Sequence, residues 1–167
     1  EPAGLKRFAT AADIGRDAGL QIVSHAGQTG GPDSIREALN DLGATRISHG
    51  VMAVRDAELV ARLADERIVL DVCPVSNVRL GVSASLELHE ARKLVAAGVR
   101  VTLNADDSLW FGNSVLDQYR IAREVWGMDD AALAEISRAG LLVPGMSERT
   151  RSEYEVSLAA WFTAAPG

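Results

Sequence analysis

The sequence predicts an α/β fold built on parallel strands, and three observations lead there. Short apolar runs, each long enough for one strand, alternate with helical stretches four times along the chain. The connections between them are short, as in strand–helix–strand crossovers. The residues with reactive side chains cluster at or just past the ends of the apolar runs, the edge on which parallel α/β folds build sites. Four such units suit either an open doubly wound sheet or half of a (β/α)8 TIM-type barrel. A whole barrel takes about 250 residues, and the chain has 167.

The elements follow in order. Leu5, Phe8, Ala9, Ala12, Ile14 and Ala18 give residues 5–18 a helical stripe that Gly19 ends. Leu20-Gln21-Ile22-Val23 reads as the first strand. Gly30-Gly31-Pro32-Asp33 is a turn, and Asp33 or Ser34 suits the cap of a helix running to Leu42, which Gly43 stops. Thr45 to Ser48 is the second strand, and His49-Gly50 follows it. Asp56 opens a helix with Leu59, Val60 and Leu63 on one side. Arg67 to Val72 is the third strand, ending at Cys73-Pro74. A loop through Gly81 leads to a helix from about Leu86 to Ala97, which contains His89. Val99 to Leu103 is the fourth strand. The remainder reads as helices near 114–126, 129–139 and 147–163, with a frayed end from Ala164 to Gly167. No linker or low-complexity segment interrupts residues 1–167, which read as a single domain. As an isolated set, the four strands are expected at about 20–24, 45–48, 67–72 and 99–103, with Ile22, Ile47, Val69 and Val101 on their inward faces.

Composition narrows the function. A net charge of −6 and a pI near 5.1 argue against nucleic acid, whose phosphates select basic surfaces. No apolar run approaches the length of a membrane span. The single cysteine, Cys73, allows no intrachain disulfide and fits a reducing, cytoplasmic setting. The chain begins at Glu1 without an initiator Met, consistent with a numbering that starts inside a longer protein.

The strand ends carry the chemistry. The first leads into His25, the second into His49, the third into Asp71, Cys73 and Asn77, the fourth into Asp106-Asp107. Each has a plain structural use: a hydrogen-bonded histidine, a capping aspartate, a buried thiol. Gly27, Gly30 and Gly31 suit turns, and Trp110 and Phe111 suit packing or the wall of a pocket. What stands out is coincidence: two histidines and two adjacent aspartates, from three of four successive strands, converge on one rim. Imidazole with carboxylate suits zinc, whose catalytic sites keep one position open. His25 and Asp106 alone are too few ligands to complete such a site.

These segments also resemble the adenosine deaminase family. SHAGQTGGPDSIREAL is similar to that family's HAGE and the helix after it, TRISHG to its RIGHG, DVCPVSN to its EVCPTSN, and LNADDSLWFG to its NSDDP-x-x-FG. Order and spacing agree from about Gln21 to Gly112. The resemblance implies the C-terminal half of a zinc-dependent (β/α)8 barrel that hydrolytically deaminates an aminopurine base or nucleoside. It implies that His25 and Asp106 ligate Zn2+, and that Asp106 also accepts a proton from the water the metal activates. His49 would orient that water and stabilise its developing charge. Asp107 would hydrogen-bond the purine, and Gly27 would leave room for it. Cys73, Ser76 and Asn77 would hold their loop.

Two departures accompany the resemblance. The family's HxH, which supplies two more zinc histidines, occurs nowhere in the sequence. The resemblance therefore implies an N-terminal half-barrel, in the same or another polypeptide, as a partner. Gln28 stands where the family has its proton-donating Glu, and a carboxamide donates a hydrogen bond but does not transfer a proton at useful pH. Two alternatives stay open: a different metal-dependent hydrolase on the same barrel, and a catalytically defective purine-binding subunit. A cytosine-deaminase-type zinc fold is disfavoured, because its HxE and PCxxC signature is missing.

Overall fold

A computed structural model describes residues 4–143 and 145–164. The expected frayed end beyond Ala164 lies outside the described residues. Four strands, β1 (Val23–Ala26), β2 (Arg46–His49), β3 (Val69–Val72) and β4 (Arg100–Leu103), form one sheet in the order β1-β2-β3-β4. All three neighbouring pairs are parallel. This is the arrangement of consecutive (β/α) units in a barrel, with each strand beside the next. A doubly wound sheet would reverse its strand order part-way.

Helices cover one face. After α1 (Ala9–Asp17), each crossover contains at least one: α2 (Gly31–Asn40), α3 (Ala57–Asp65), then α4 (Pro74–Arg79) and α5 (Ala91–Ala96). The short α6 (Ser108–Phe111) follows β4, and α7 (Val115–Glu124), α8 (Asp130–Ala139) and α9 (Glu148–Thr163) complete the chain. Local chemistry sets several starts. Asp56 caps α3 through Leu59 N–H, and Ser114 and Asp117 form a reciprocal capping box on α7. The core lies between sheet and helices. Ala26, Ile47, Leu70, Val72, Val101 and Leu103 meet Ile35 and Leu39 of α2, Leu59 and Leu63 of α3, and Leu94 of α5. Each fully buried side chain of this size stabilises by roughly 1.5–3 kcal/mol.

The opposite, inner face is polar. Register places Val23, Arg46, Val69 and Arg100 in one row and His25, Ser48, Asp71 and Thr102 in the next. Arg46 grips Asp71 with Nε and Nη2 at 2.7 and 2.6 Å, and Thr102 Oγ1 donates to the same carboxylate at 2.5 Å. The sequence reading put Ile47 and Val101 inward. They are instead buried under the helices, because alternation along a strand assigns every second residue to the other face. Val69 does share the inner face with Arg46.

Other differences have local causes. β1 begins three residues after the expected start, since pairing with β2, not apolarity, defines it; Ile22 packs on the core from just outside it. The expected loop after Cys73 begins with α4, which has Pro74 in its first turn, where a missing N–H costs no helical bond. The helix expected at 86–97 is only 91–96, and His89 lies before it, in a turn closed by His89 N–H to Leu86 O.

Candidate active site

The strand ends deliver the expected residues to one cleft. Its walls are His25, Gln28, His49, Leu80, Asp106, Asp107, Trp110 and Phe111, and its volume is about 440 Å3. That suffices for a small heterocycle. His25 sits inside β1 on the inner face. His49 ends β2, where alternation alone would turn it toward the helices. Its φ of 73° breaks the alternation, and its ring lies 4.6 Å from that of His25, centroid to centroid. Asp106, beyond β4, also has a left-handed backbone, with φ 59°. Non-glycine residues in that region are strained and concentrate at functional sites.

Contacts knit these residues together. His49 Nε2 stands 3.9 Å from Asp106 Oδ2, and Ser76 Oγ donates to the same oxygen at 2.6 Å. Gln28 is 8% exposed, and its Oε1 lies 2.9 Å from His25 Nε2. Asp107 caps α6 by accepting from Trp110 N–H at 3.1 Å. A carboxylate has two oxygens, so the cap alone does not exhaust it. Trp110 is 79% exposed beside it, while Phe111 is buried: both line the cleft, and Phe111 also packs.

The donor set fits a zinc ion in kind, with imidazole and carboxylate on one rim, and falls short in number. Among the described residues, one group of donor atoms lies within 4.8 Å of one another: those of His49, Cys73 and Asp106. Cys73 is a poor member of it. Burial, with Asp106 and Asp71 nearby, pushes its thiol up to about 12, and Sγ is 3.7 Å from the Asp71 carbonyl. His25 is outside that group but lines the same cleft as Asp106.

Gly27 has a packing reason of its own. With φ 66°, a Cβ there would fall inside the Ile35 side chain, and its N–H donates to Ser34 Oγ at 2.8 Å. Sequence reasoning missed the layer behind His49. Asn77 Nδ2 is 3.3 Å from His49 Nδ1, and His89 Nε2 is 3.3 Å from Asn77 Oδ1. His89 had no visible link to the rim, because twelve residues and an unrecognised α4 separate it from Asn77.

A parallel sheet in sequential order, with a polar inner face and an imidazole–carboxylate cleft at its carboxyl edge, defines the fold of this molecule as half of a (β/α)8 barrel. A model of the family described as adenosine deaminase matches residues 1–154, and the chain belongs to that family. It is 45% identical over 154 residues to an adenine deaminase of Sinorhizobium fredii, covering 92% of this chain and 48% of that protein. The crystal structure of adenine deaminase from Arthrobacter aurescens superposes with a TM-score of 0.92 at 30% identity, over 98% of this chain and 50% of its own. An amidohydrolase from Burkhoderia ambifaria with bound Zn superposes at 0.84 and 25% identity, over 95% of this chain and 45% of its own. The chain thus spans about half the length of the relatives it matches.

Proposed function

We propose that this chain supplies the C-terminal half of the active site of a zinc-dependent hydrolase that deaminates an aminopurine base or nucleoside. The observation that carries the reading is the convergence of His25, Gln28, His49, Asp106 and Asp107 on one cleft. The family relatives named adenine deaminase support the substrate class. The reaction adds water to the ring carbon bearing the exocyclic amine and releases ammonia.

His25 and Asp106 would hold the ion, with further ligands from the complementary half-barrel. When bound, zinc lowers the pKa of water so that hydroxide is available near neutral pH. Asp106, fixed by Ser76, accepts the proton that the water gives up. His49, 3.9 Å away, orients the water and stabilises its developing charge. Asp107 accepts a hydrogen bond from the purine, beside the Trp110 indole. Gln28, whose Oε1 faces His25, has its amide nitrogen to donate to a ring nitrogen, as a hydrogen bond without proton transfer. The inner face supports a complementary half: Val23, in the row with Arg46, stands 49% exposed on it, and exposed apolar surface beside unpaired strand edges invites a covering partner.

The test uses the complete barrel, this chain with its complementary half. Zinc content and ammonia release from adenine and adenosine are measured for wild type, His25→Ala and Asp106→Asn. The expected outcome is stoichiometric zinc and turnover in the wild type, with both reduced in each variant. Gln28 favours one second reading, a purine-binding subunit. Tight purine binding with no ammonia release from the zinc-loaded wild type would establish that reading instead.

A further inference from the structure

We propose that Asn77 and His89 are positioning residues that fix the tautomer of His49, so that His49 presents Nε2–H to the cleft. The inference rests on the functional reading above for its consequence, but its geometry stands alone. A fixed point anchors it: the backbone N–H of Ala91 can only donate, and it points at His89 Nδ1, 3.1 Å away. Nδ1 must therefore carry the lone pair, and a neutral ring then has its proton on Nε2. His89 is 1% exposed, and burial pushes its pKa down to about 4, so the ring is neutral. Its Nε2–H donates to Asn77 Oδ1, at 3.3 Å.

That bond decides which way the Asn77 amide faces. With Oδ1 toward His89, Nδ2 donates to His49 Nδ1, also at 3.3 Å. His49 Nδ1 is then an acceptor, and its proton sits on Nε2, the nitrogen 3.9 Å from Asp106 Oδ2. Both bonds lie at the long end of the range, so the relay depends on rigid mounting. Asn77 is wholly buried and its carbonyl accepts from Val82 and Ser83 N–H. The His89 ring stacks on Trp126, centroids 5.5 Å apart, and the indole N–H is tied to Leu86 O at 2.7 Å. The consequence is a division of labour. Neutral His49 has no lone pair on Nε2 and acts there as a hydrogen-bond donor, which leaves Asp106 as the proton acceptor.

The test is nitrogen-15 NMR of the complete barrel labelled at histidine, metal-free and zinc-loaded, with His49 assigned by His49→Gln. The expected spectrum shows a pyridine-like shift for His49 Nδ1 and a pyrrole-like shift for Nε2. In Asn77→Asp the carboxylate can only accept, so the two shifts should exchange, and kcat should fall about 10²-fold or more with KM little changed. His89→Phe, which keeps the stack on Trp126, should give mixed tautomers. His89→Gln, which restores a donor to Asn77, should recover a single one. A pyrrole-like Nδ1 in the wild type overturns the proposal, as does an unchanged His49 spectrum in Asn77→Asp. If Asn77→Asp does not fold, the wild-type spectrum and the two His89 variants decide alone. The expected spectrum in a wild type that turns over no aminopurine supports the tautomer assignment and counts only against the function proposed above.

Discussion

Gln28 concentrates the chemical question at the scale of one residue. Its side chain is buried at the rim, against His25, in the place the family motif gives to a proton donor. An acid there would be partly desolvated, and desolvation raises a carboxyl pKa toward neutrality. Gln28→Glu in the zinc-saturated complete barrel is therefore expected to raise adenine deamination by roughly 10²-fold or more, the lower end of general acid–base effects. The rate is followed as loss of aminopurine absorbance. A fall in turnover of the natural substrate would show that glutamine serves a different hydrolysis. The identity of this residue was legible from SHAGQTG; its bond to His25 was not, because rotamer and burial are fixed by the fold around it.

At the scale of elements, the site depends on how β2 ends. His49 and Gly50 are both left-handed, at φ 73° and 69°, and together they swing the imidazole out of strand alternation. A Cβ on Gly50 would stand 2.7 Å from Leu70 Cδ2 in β3. Gly50→Ala combines a left-handed backbone penalty of about 1–2 kcal/mol with overpacking of about 1–3 kcal/mol. The expected result is a loss of roughly 2–5 kcal/mol of stability, measured by denaturant unfolding of the complete barrel. A loss under about 1 kcal/mol would mean that Leu70 yields and that the backbone is not held there. Strand–helix alternation made β2, β3 and β4 visible to within about two residues. The start of β1 and the whole of α4 were not visible, since pairing partners and proline-started turns leave no apolar period in the sequence.

At the scale of the molecule, half a barrel leaves its inner face and two sheet edges uncovered. Val23 is 49% exposed on that face, paired with Arg46 of β2. The outer edges of β1 and β4 have no strand beside them among the described residues. Such surface invites association. The 167-residue chain expressed alone is expected to self-associate or to lack a sharp melting transition. Sedimentation and calorimetry check this, and a monomer with one cooperative transition would contradict it. Mixing with the complementary half should yield a soluble one-to-one complex.

The sequence by itself determined the strand–helix alternation, the half-barrel expectation and the reactive residues at strand ends, because these are written in local periodicity and short motifs. Only the tertiary structure decided which faces those strands present. Ile47 and Val101 went to the helices and Arg46 and Asp71 inward, since a one-residue change of register reverses every side chain. Only the structure, too, joined His89 to His49 through Asn77, forty residues apart along the chain. A hydrogen bond between side chains from separate elements leaves no spacing rule in the sequence, and it forms only when packing brings its two ends within reach.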